Sequence, residues 1–428
     1  MLILPLQSPR LILRDFVADD REPYGRLRGG LAFGRHYAAA ETSPAFSAQL
    51  LERFIGQQQS PRRAWQLAVI RRDDGRLIGS VGLRLTLSDG VASFGAELAE
   101  AAWGQGYAEE AARLLLDAGF NHLGVNRVEA DTAEGNASAL RLAGRLGFVA
   151  APARDGRVSL ALSLGMLGAQ SEWRMLGASS SLRRIDGGWR LLTADQPGFY
   201  FGNALLLDHA PEPGSRREWE RRIAAAFADY PAIRHRVLQW PVEKSAGLDA
   251  HQEWLSAGYR YDETIVLLMT GETLRPAPLS PSLTIRPLTS DEDWAQWQRL
   301  FLDTREAEHL EEDYLTFLAG HERRYRQLEA EGKGHTWGVF DGRALLSCAG
   351  LFLQPGLGCV QQVATAEHVR RLGLASQLLI HMAQWGLQRA PRLLVAADAH
   401  YHALQLYRQL GFVDAGREAS LCWWSGRA

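Results

Sequence analysis

The chain has 428 residues, of which 46% are hydrophobic and 22% charged, with a formal net charge of −2. That length allows two or three domains with sizeable cores. The near-neutral charge gives no reason to expect nucleic acid or an acidic membrane surface as a partner. No run approaches the roughly 20 apolar residues that span a bilayer. Three cysteines, Cys348, Cys359 and Cys422, form neither a disulfide framework nor a metal-ligand spacing.

The opening residues lack the basic region and cleavage site of a leader, and Arg10 to Arg14 reads as a strand. With so few cysteines, a reduced cytoplasmic setting is the expectation. Gly95 to Leu98 reads as a central strand carrying Glu97. It leads into Trp103, Gly104, Gln105, Gly106, Tyr107 and Ala108, then an Ala-rich amphipathic helix. A glycine loop entering a helix presents successive backbone N–H groups and a positive helix end to an anion. The strand RVEAD from Arg127 follows, then a helix with Asn136, Ala139 and Ala143 in four-residue steps, closed by Gly147 and Phe148. The glycine suits a left-handed C-cap. A strand from Val158 closes this segment, whose end falls between Gly165 and Ser171.

A related pattern returns twice. In the middle, a strand from Arg234 precedes Gly247, Ala250, Trp254, Gly258 and Tyr259 at the same steps, with a strand from Thr264 after them. Before its helix (Glu218 to Ala228) stands Asp208 to Ser215 instead of a glycine cradle. Pro211 and Pro213 lack N–H donors and Glu212 would repel a phosphate. A Pro-rich linker, 276–282, leads to a strand from Leu283 to Pro287. An acidic stretch runs from Glu306 to Asp313. Further on, Arg370, Arg371, Leu372, Gly373, Leu374, Ala375 and Ser376 form a second loop into a helix, with Val363 and Thr365 on the strand before it. Then come a strand from Arg392, a helix bearing His400, Ala403 and Tyr407, the pair Gly411 and Phe412, and a strand from Ala419. Gly106 and Gly147 lie 41 residues apart, Gly373 and Gly411 38 apart. Two such loops predict two sites for a phosphate-bearing cofactor, and a middle copy without one.

At these residues the chain resembles the GNAT superfamily of acyl-CoA N-acyltransferases, whose pattern is Gln/Arg-x-x-Gly-x-Gly/Ala at a helix start. Residues 370–375 match it fully. Residues 103–108, with Glu97 and Leu98 upstream, lack the initial Gln/Arg and are similar to the branch of bacterial ribosomal-protein alanine and serine N-acetyltransferases. The resemblance covers about 1–165 and 283–428.

It implies an α/β (α+β) chain of tandem GNAT modules with mixed, mostly antiparallel twisted sheets. The boundaries are 1–168 for the first module, 169–275 for a degenerate half copy, 276–282 for the linker and 283–428 for the last module. It implies acetyl-CoA as cofactor, held at 103–108 with Asn136 and at 370–376 with Val363 and Thr365. The acceptor would be an amine-bearing small molecule or a protein N-terminus, and the assembly a monomer with internal pseudo-dimer or a homodimer. Tyr407 stands where the family places its general acid, and the matching residue of the first module is Ala143. Glu97 is the expected base of the first module. In the last module Ala364 stands where relatives place a carboxylate, with Glu367 and His368 only neighbours in the loop. A sensor or scaffold without turnover is the competing reading, because each copy departs from the family at a different place. A dinucleotide oxidoreductase is disfavoured, since neither loop completes Gly-x-Gly-x-x-Gly.

Overall fold

The computed structural model describes residues 2–30, 33–36, 38–88, 90–176, 179–242, 251–275, 283–305, 311–401 and 403–424. The linker 276–282, Gly247, Ala250 and 306–310 of the acidic stretch lie outside the described residues. The chain divides into two compact units, residues up to Gly165 with Leu182–Gly188, and Met166–Ser181 with Trp189 onward.

In the first unit the chain order is β1 (Leu6–Gln7), β2 (Leu11–Asp15), α1 (Arg21–Arg28), α2 (Pro44–Gly56), β3 (Ala64–Arg71), β4 (Leu77–Leu85), β5 (Val91–Leu98), α3 (Tyr107–His122), β6 (Arg127–Ala133), α4 (Ala137–Leu146), β7 (Val149–Ala150) and β8 (Arg157–Ser163). The strands lie in the order β1-β2-β3-β4-β5-β6-β8-β7. Pairing is antiparallel except between β5 and β6. That parallel pair is in register only from Val91–Ser93 to Arg127–Glu129, after which the strands part. The helix α3 makes the crossover. Its Ala111, Ala112, Leu115, Leu116 and Phe120 recur at helical spacing and are buried. Each of the two leucines contributes about 2 kcal/mol by burial. Gly147 ends α4 at φ 87°, the left-handed cap expected of it.

The second unit contains α5 (Leu167–Leu176) and, after β9 (Ser181–Ile185), whose residues from Leu182 onward belong to the first unit, β10 (Gly188–Leu192), β11 (Ala204–Leu207), α6 (Arg216–Ala226), β12 (Arg236–Pro241), α7 (Gln252–Leu255), β13 (Arg260–Met269), β14 (Thr284–Pro287), α8 (Asp291–Asp303), α9 (Glu311–Ala330), β15 (Gly334–Asp341), β16 (Ala344–Gln354), β17 (Leu357–Thr365), α10 (Leu374–Leu387), β18 (Leu393–Asp398), α11 (Ala403–Leu410) and β19 (Val413–Trp423). Its strands lie in the order β14-β15-β16-β17-β18-β13-β19-β12-β11-β10. Sequence order is broken at the centre: β13 sits between β18 and β19, pairing antiparallel with both. In turn β19 pairs with β12. The middle segment and the residues after 283 therefore share one sheet. Two parallel crossovers are present, β11 to β12 and β17 to β18.

The sheet separates two cores. On one face α10 and α11 pack Leu378, Leu379, Met382 and Tyr407 against Ile265, Leu351 and Val395. On the other, α8 and α9 pack Trp294, Trp297, Leu318 and Tyr325 against Phe340, Cys348, Phe352 and Ala364, joined by Met175 and Leu176 of α5. The tryptophans of α8 sit three residues apart, on the face that Ser290 fixes by accepting from the Asp293 N–H at its N-cap.

Candidate active site

Each unit carries a loop of the same backbone shape. A one-turn 3₁₀ segment, Glu100–Ala102 or Glu367–Val369, is followed by an extended residue, Trp103 (φ −71°, ψ 155°) or Arg370 (φ −64°, ψ 153°). Next comes a left-handed residue, Gly104 at φ 72° or Arg371 at φ 66°. Gln105 or Leu372 leads to a left-handed N-cap glycine, Gly106 at φ 78° or Gly373 at φ 81°. The first intrahelical bonds run from the Glu110 N–H to the Gly106 carbonyl and from the Gln377 N–H to the Gly373 carbonyl. The amides of Tyr107, Ala108 and Glu109, and of Leu374, Ala375 and Ser376, thus precede the helical ladder and point to an anion.

A β-carbon on Gly373 would meet nothing within 4 Å, and one on Gly106 only Arg10 Nη2 at 3.4 Å. The space above both glycines is open. In the first unit Arg10 lies against the loop, paired with Glu110. Its Nη1 donates to the Gln105 carbonyl at 2.9 Å, its Nε to Glu110 at 2.6 Å, and its guanidinium lies 4.7 Å from the Tyr107 ring. Trp103 anchors the loop, its indole N–H donating to the Leu98 carbonyl at 2.9 Å. In the second unit Arg370 Nε donates to the Thr365 carbonyl at 3.3 Å, while Arg371 and Leu372 are exposed.

Beside each loop the parallel strands diverge. β17 and β18 are paired only at Gly358 and Cys359 with Leu393 and Leu394. Beyond, Val360, Gln361, Ala364 and Thr365 keep their β16 partners on one edge, and the other edge of this stretch, with Val363 and Thr365, is open to the gap. Within this stretch Gln362 takes φ 44°, and the register slips so that Gln362 and Val363 oppose Ala349 alone. This is a β-bulge, which frees and re-aims backbone polar groups. β5 of the first unit has an unbroken register from Ala92 to Leu98. No sequence pattern announced this difference.

Tyr407 lies on α11, buried to 5% exposure, its ring edge-on to Phe412 at 6.0 Å. Burial pushes its phenol above the ordinary tyrosine range. Its counterpart Ala143 is buried on α4. Asn136 caps α4, its side chain accepting from the Ala139 N–H at 3.1 Å. His400 donates its backbone N–H to Asp398 at 2.7 Å.

Glu97 sits opposite Ser80 on β4 and is enclosed, not turned to solvent. Its oxygens accept from Tyr24 Oη at 2.6 Å, Ser80 Oγ at 2.8 Å and Arg28 Nη1 at 2.6 Å. Arg28 lies among Tyr24, Phe33 and Phe46. In the second unit the corresponding ladder position pairs Ala364 with Cys348. Glu367 and His368 are exposed, and line an open cavity of about 530 Å³ with Arg299, Asp303 and Thr304 of α8 and its C-terminus. Of the acidic stretch, Glu311 accepts from Arg305 at 3.3 Å on the surface. The middle segment has Gly214 before α6, but its N–H already donates to Glu253 at 2.7 Å.

Among the described residues no cluster of metal-ligating side chains occurs, and no helix is long and apolar enough to cross a membrane.

Residues 10–149 match the acetyltransferase (GNAT) domain family, and residues 294–412 match the acetyltransferase (GNAT) family. The uncharacterized N-acetyltransferase p20 of Bacillus licheniformis is 25% identical over 144 residues, 33% of this chain and 81% of the relative. The uncharacterized N-acetyltransferase YoaA of Bacillus subtilis is 28% identical over 145 residues, with the same coverage. A solved structure of a putative ribosomal-protein-serine acetyltransferase from Vibrio cholerae aligns at 20% identity and a TM-score of 0.32, covering 38% of this chain and 98% of that one. Members of this family use acyl-CoA. Two family domains, one in each compact unit, with the loop, splayed strands and crossover helix present in both, place the chain in the GNAT superfamily as a tandem N-acyltransferase.

Proposed function

We propose that the second unit carries the catalysis, moving an acetyl group from acetyl-CoA directly to the primary amine of a small molecule or a protein N-terminus. The observation that carries this reading is the bulge at Gln362 in the same unit as Gly373 and Tyr407. Leu374, Ala375 and Ser376 would hold the diphosphate through backbone amides, with Arg370 and Arg371 adding charge. The open edge of β17, at Val363 and Thr365, would take the pantetheine arm. An amide freed at the bulge would stabilise the oxyanion. Tyr407 stays protonated and would hand its proton to the departing sulfur.

In the first unit the loop at 103–108 and Asn136 would hold a second acyl-CoA. That unit has neither the bulge nor a tyrosine at position 143, and its Glu97 is already held by three hydrogen bonds, one of them from Arg28. A cofactor-binding unit of low or no turnover is the reading these observations favour there. The middle segment, with the parallel crossover β11-α6-β12 and a cradle amide already spent on Glu253, reads as a half copy that supports the sheet.

The test is calorimetric titration of acetyl-CoA into the full chain and its Gly106→Glu and Gly373→Glu variants, with free-thiol release measured alongside. Two sites are expected in the wild type and one in each variant, with thiol release lost in Gly373→Glu. Unchanged stoichiometry in both variants refutes the two-site reading, and thiol release surviving in Gly373→Glu refutes the assignment of catalysis to the second unit.

A further inference from the structure

A charged amine must lose a proton before it can attack a thioester, and in the second unit β17 turns Ala364, not a carboxylate, to the face where α8 and α9 pack. We propose that Asp398, at the end of β18, takes that proton from the opposite rim of the gap. The inference rests on the functional reading above.

Strand register carries it. β17 and β18 are last paired at Cys359 and Leu394. On the β17 side, β16 pairs Phe352 with Cys359 and Cys348 with Ala364. Ala364 therefore stands four ladder steps beyond the last pair, the bulge having absorbed one residue. On the β18 side, β13 pairs Leu268 with Leu394 and Thr264 with Asp398, again four steps. Counted along the ladders, Cys348, Ala364, Asp398, Thr264 and Glu418 form one row across the sheet. That row is broken between Ala364 and Asp398, where the strands have parted.

Alternation along β18 fixes the face. Val395 and Ala397 pack in the core of α10 and α11, so Asp398 is turned the other way, to the face of Ala364. Along that face Leu394 is buried, whereas Ala396 and Asp398 are exposed, as expected where β17 draws away. The bulge residues Gln362 and Val363 oppose Ala349, one step below the row of Asp398. At about 3.3 Å per step, the oxyanion donor on one rim and the carboxylate on the other serve the same short stretch of the gap. No ladder joins β17 to β18 there. A thioester lying between the strands would meet Tyr407 from the α11 side and an incoming amine from the Asp398 side.

The turn after β18 holds the carboxylate in place. The Ala399 N–H donates to the Glu263 carbonyl on β13 at 2.8 Å, the His400 N–H to Asp398 Oδ1 at 2.7 Å and the Tyr401 N–H to the Asp398 carbonyl at 3.0 Å. One oxygen thus fixes the side chain in an Asx turn, and the second is the proton acceptor. The neighbouring strand carboxylates are committed elsewhere. Glu418 lies two strands away and accepts from the α5 amides, and Glu263, on the opposite face, pairs with Arg417.

The step balances as follows. The Asp398 carboxylate takes one proton from the substrate ammonium. The freed amine forms a C–N bond at the thioester carbon. As the C–S bond breaks, the sulfur receives the Tyr407 proton, and Tyr407 recovers one from the adduct nitrogen. Amide and thiol form, and the proton on Asp398 leaves to water.

The experiment uses the full chain and free-thiol release from acetyl-CoA with a panel of spermidine, lysine, kanamycin and a peptide with an N-terminal alanine. Asp398→Asn keeps an oxygen for the His400 N–H, so the turn and the melting temperature should be unchanged while the proton acceptor is lost. With the best amine it should lower kcat by about 10²- to 10³-fold, with acetyl-CoA binding by calorimetry within about twofold of wild type. Asp398→Ala removes the turn bond as well, and should lose the same activity with a lower melting temperature. An Asp398→Asn variant that binds acetyl-CoA and keeps wild-type kcat overturns this inference alone, even if the KM for the amine rises. Loss of the fold or of acetyl-CoA binding in Asp398→Asn would assign the residue to structure and overturns it equally. Absence of turnover by the wild type with every amine overturns it together with the functional reading.

Discussion

Gly104 and Arg371 hold the same left-handed backbone conformation, at φ 72° and 66°, each two residues before the glycine that caps its helix. For glycine that conformation is free, whereas for arginine it costs about 1 kcal/mol. Arg371 is therefore kept in the loop against its own backbone preference, which argues for a role of its exposed guanidinium. Arg371→Gly should leave the melting temperature unchanged or slightly raised. It should weaken acetyl-CoA binding in the second unit severalfold, as the loss of one charge-assisted contact predicts. Calorimetry paired with a thermal melt checks both, and unchanged affinity would reduce Arg371 to a solvated loop cation.

Tyr407→Phe keeps the ring in its core position against Phe412 and removes only the hydroxyl. The expected result is a fall in kcat of about 10²-fold or more, little change in the KM for acetyl-CoA, and stability within about 1 kcal/mol. Because burial raises the phenol above its usual range, the wild type should show no alkaline decline from this group below pH 10. Steady-state kinetics from pH 6 to 10 decide the matter.

The pair of Arg28 and Glu97 is nearly dry, with side-chain exposures of 5% and 11%. Removing one partner strands the other. Arg28→Ala should destabilise the first unit by about 3–5 kcal/mol, and adding Glu97→Gln should recover much of it. Urea unfolding of the single and double variants measures the coupling. Additive effects would show that the pair is not an interacting unit.

Glu418 accepts two backbone N–H bonds at the start of α5, yet burial raises its carboxyl to about 7. A carboxyl whose folded value exceeds its unfolded one binds more protons when folded. Its contribution to stability is complete below about pH 4.5 and is lost as pH rises through about 7. Glu418→Gln keeps an acceptor for the amides and removes the titration. The difference in stability between variant and wild type should therefore shift in favour of the variant between pH 5 and 8, by about 1 kcal/mol or more. Denaturant melts across that range test the sign, and a constant difference would contradict it.

The loops, the capping glycines and most strands were legible in the sequence because they depend on local rules. Gly106 and Gly373 must take positive φ to start a helix, Gly147 and Gly411 to end one, and four-residue steps such as Ala139 and Ala143 trace one helical face. Two features escaped it for physical reasons. The bulge at Gln362 depends on the partner strand and shows no glycine. The enclosure of Glu97 by Arg28 and Tyr24 joins residues about 70 positions apart.

That sheet order also sets a schedule for synthesis. β19 comes later in sequence than every other described strand, yet it lies inside the sheet, between β13 and β12. Until residues 413–423 leave the ribosome, β12 and β13 each present an unpaired apolar edge. The first unit has all the strands of its sheet by Ser163 and can close early. The second must wait for its centre, so a nascent chain halted in the 380s would hold one finished unit beside an open sheet, the state most in need of a chaperone.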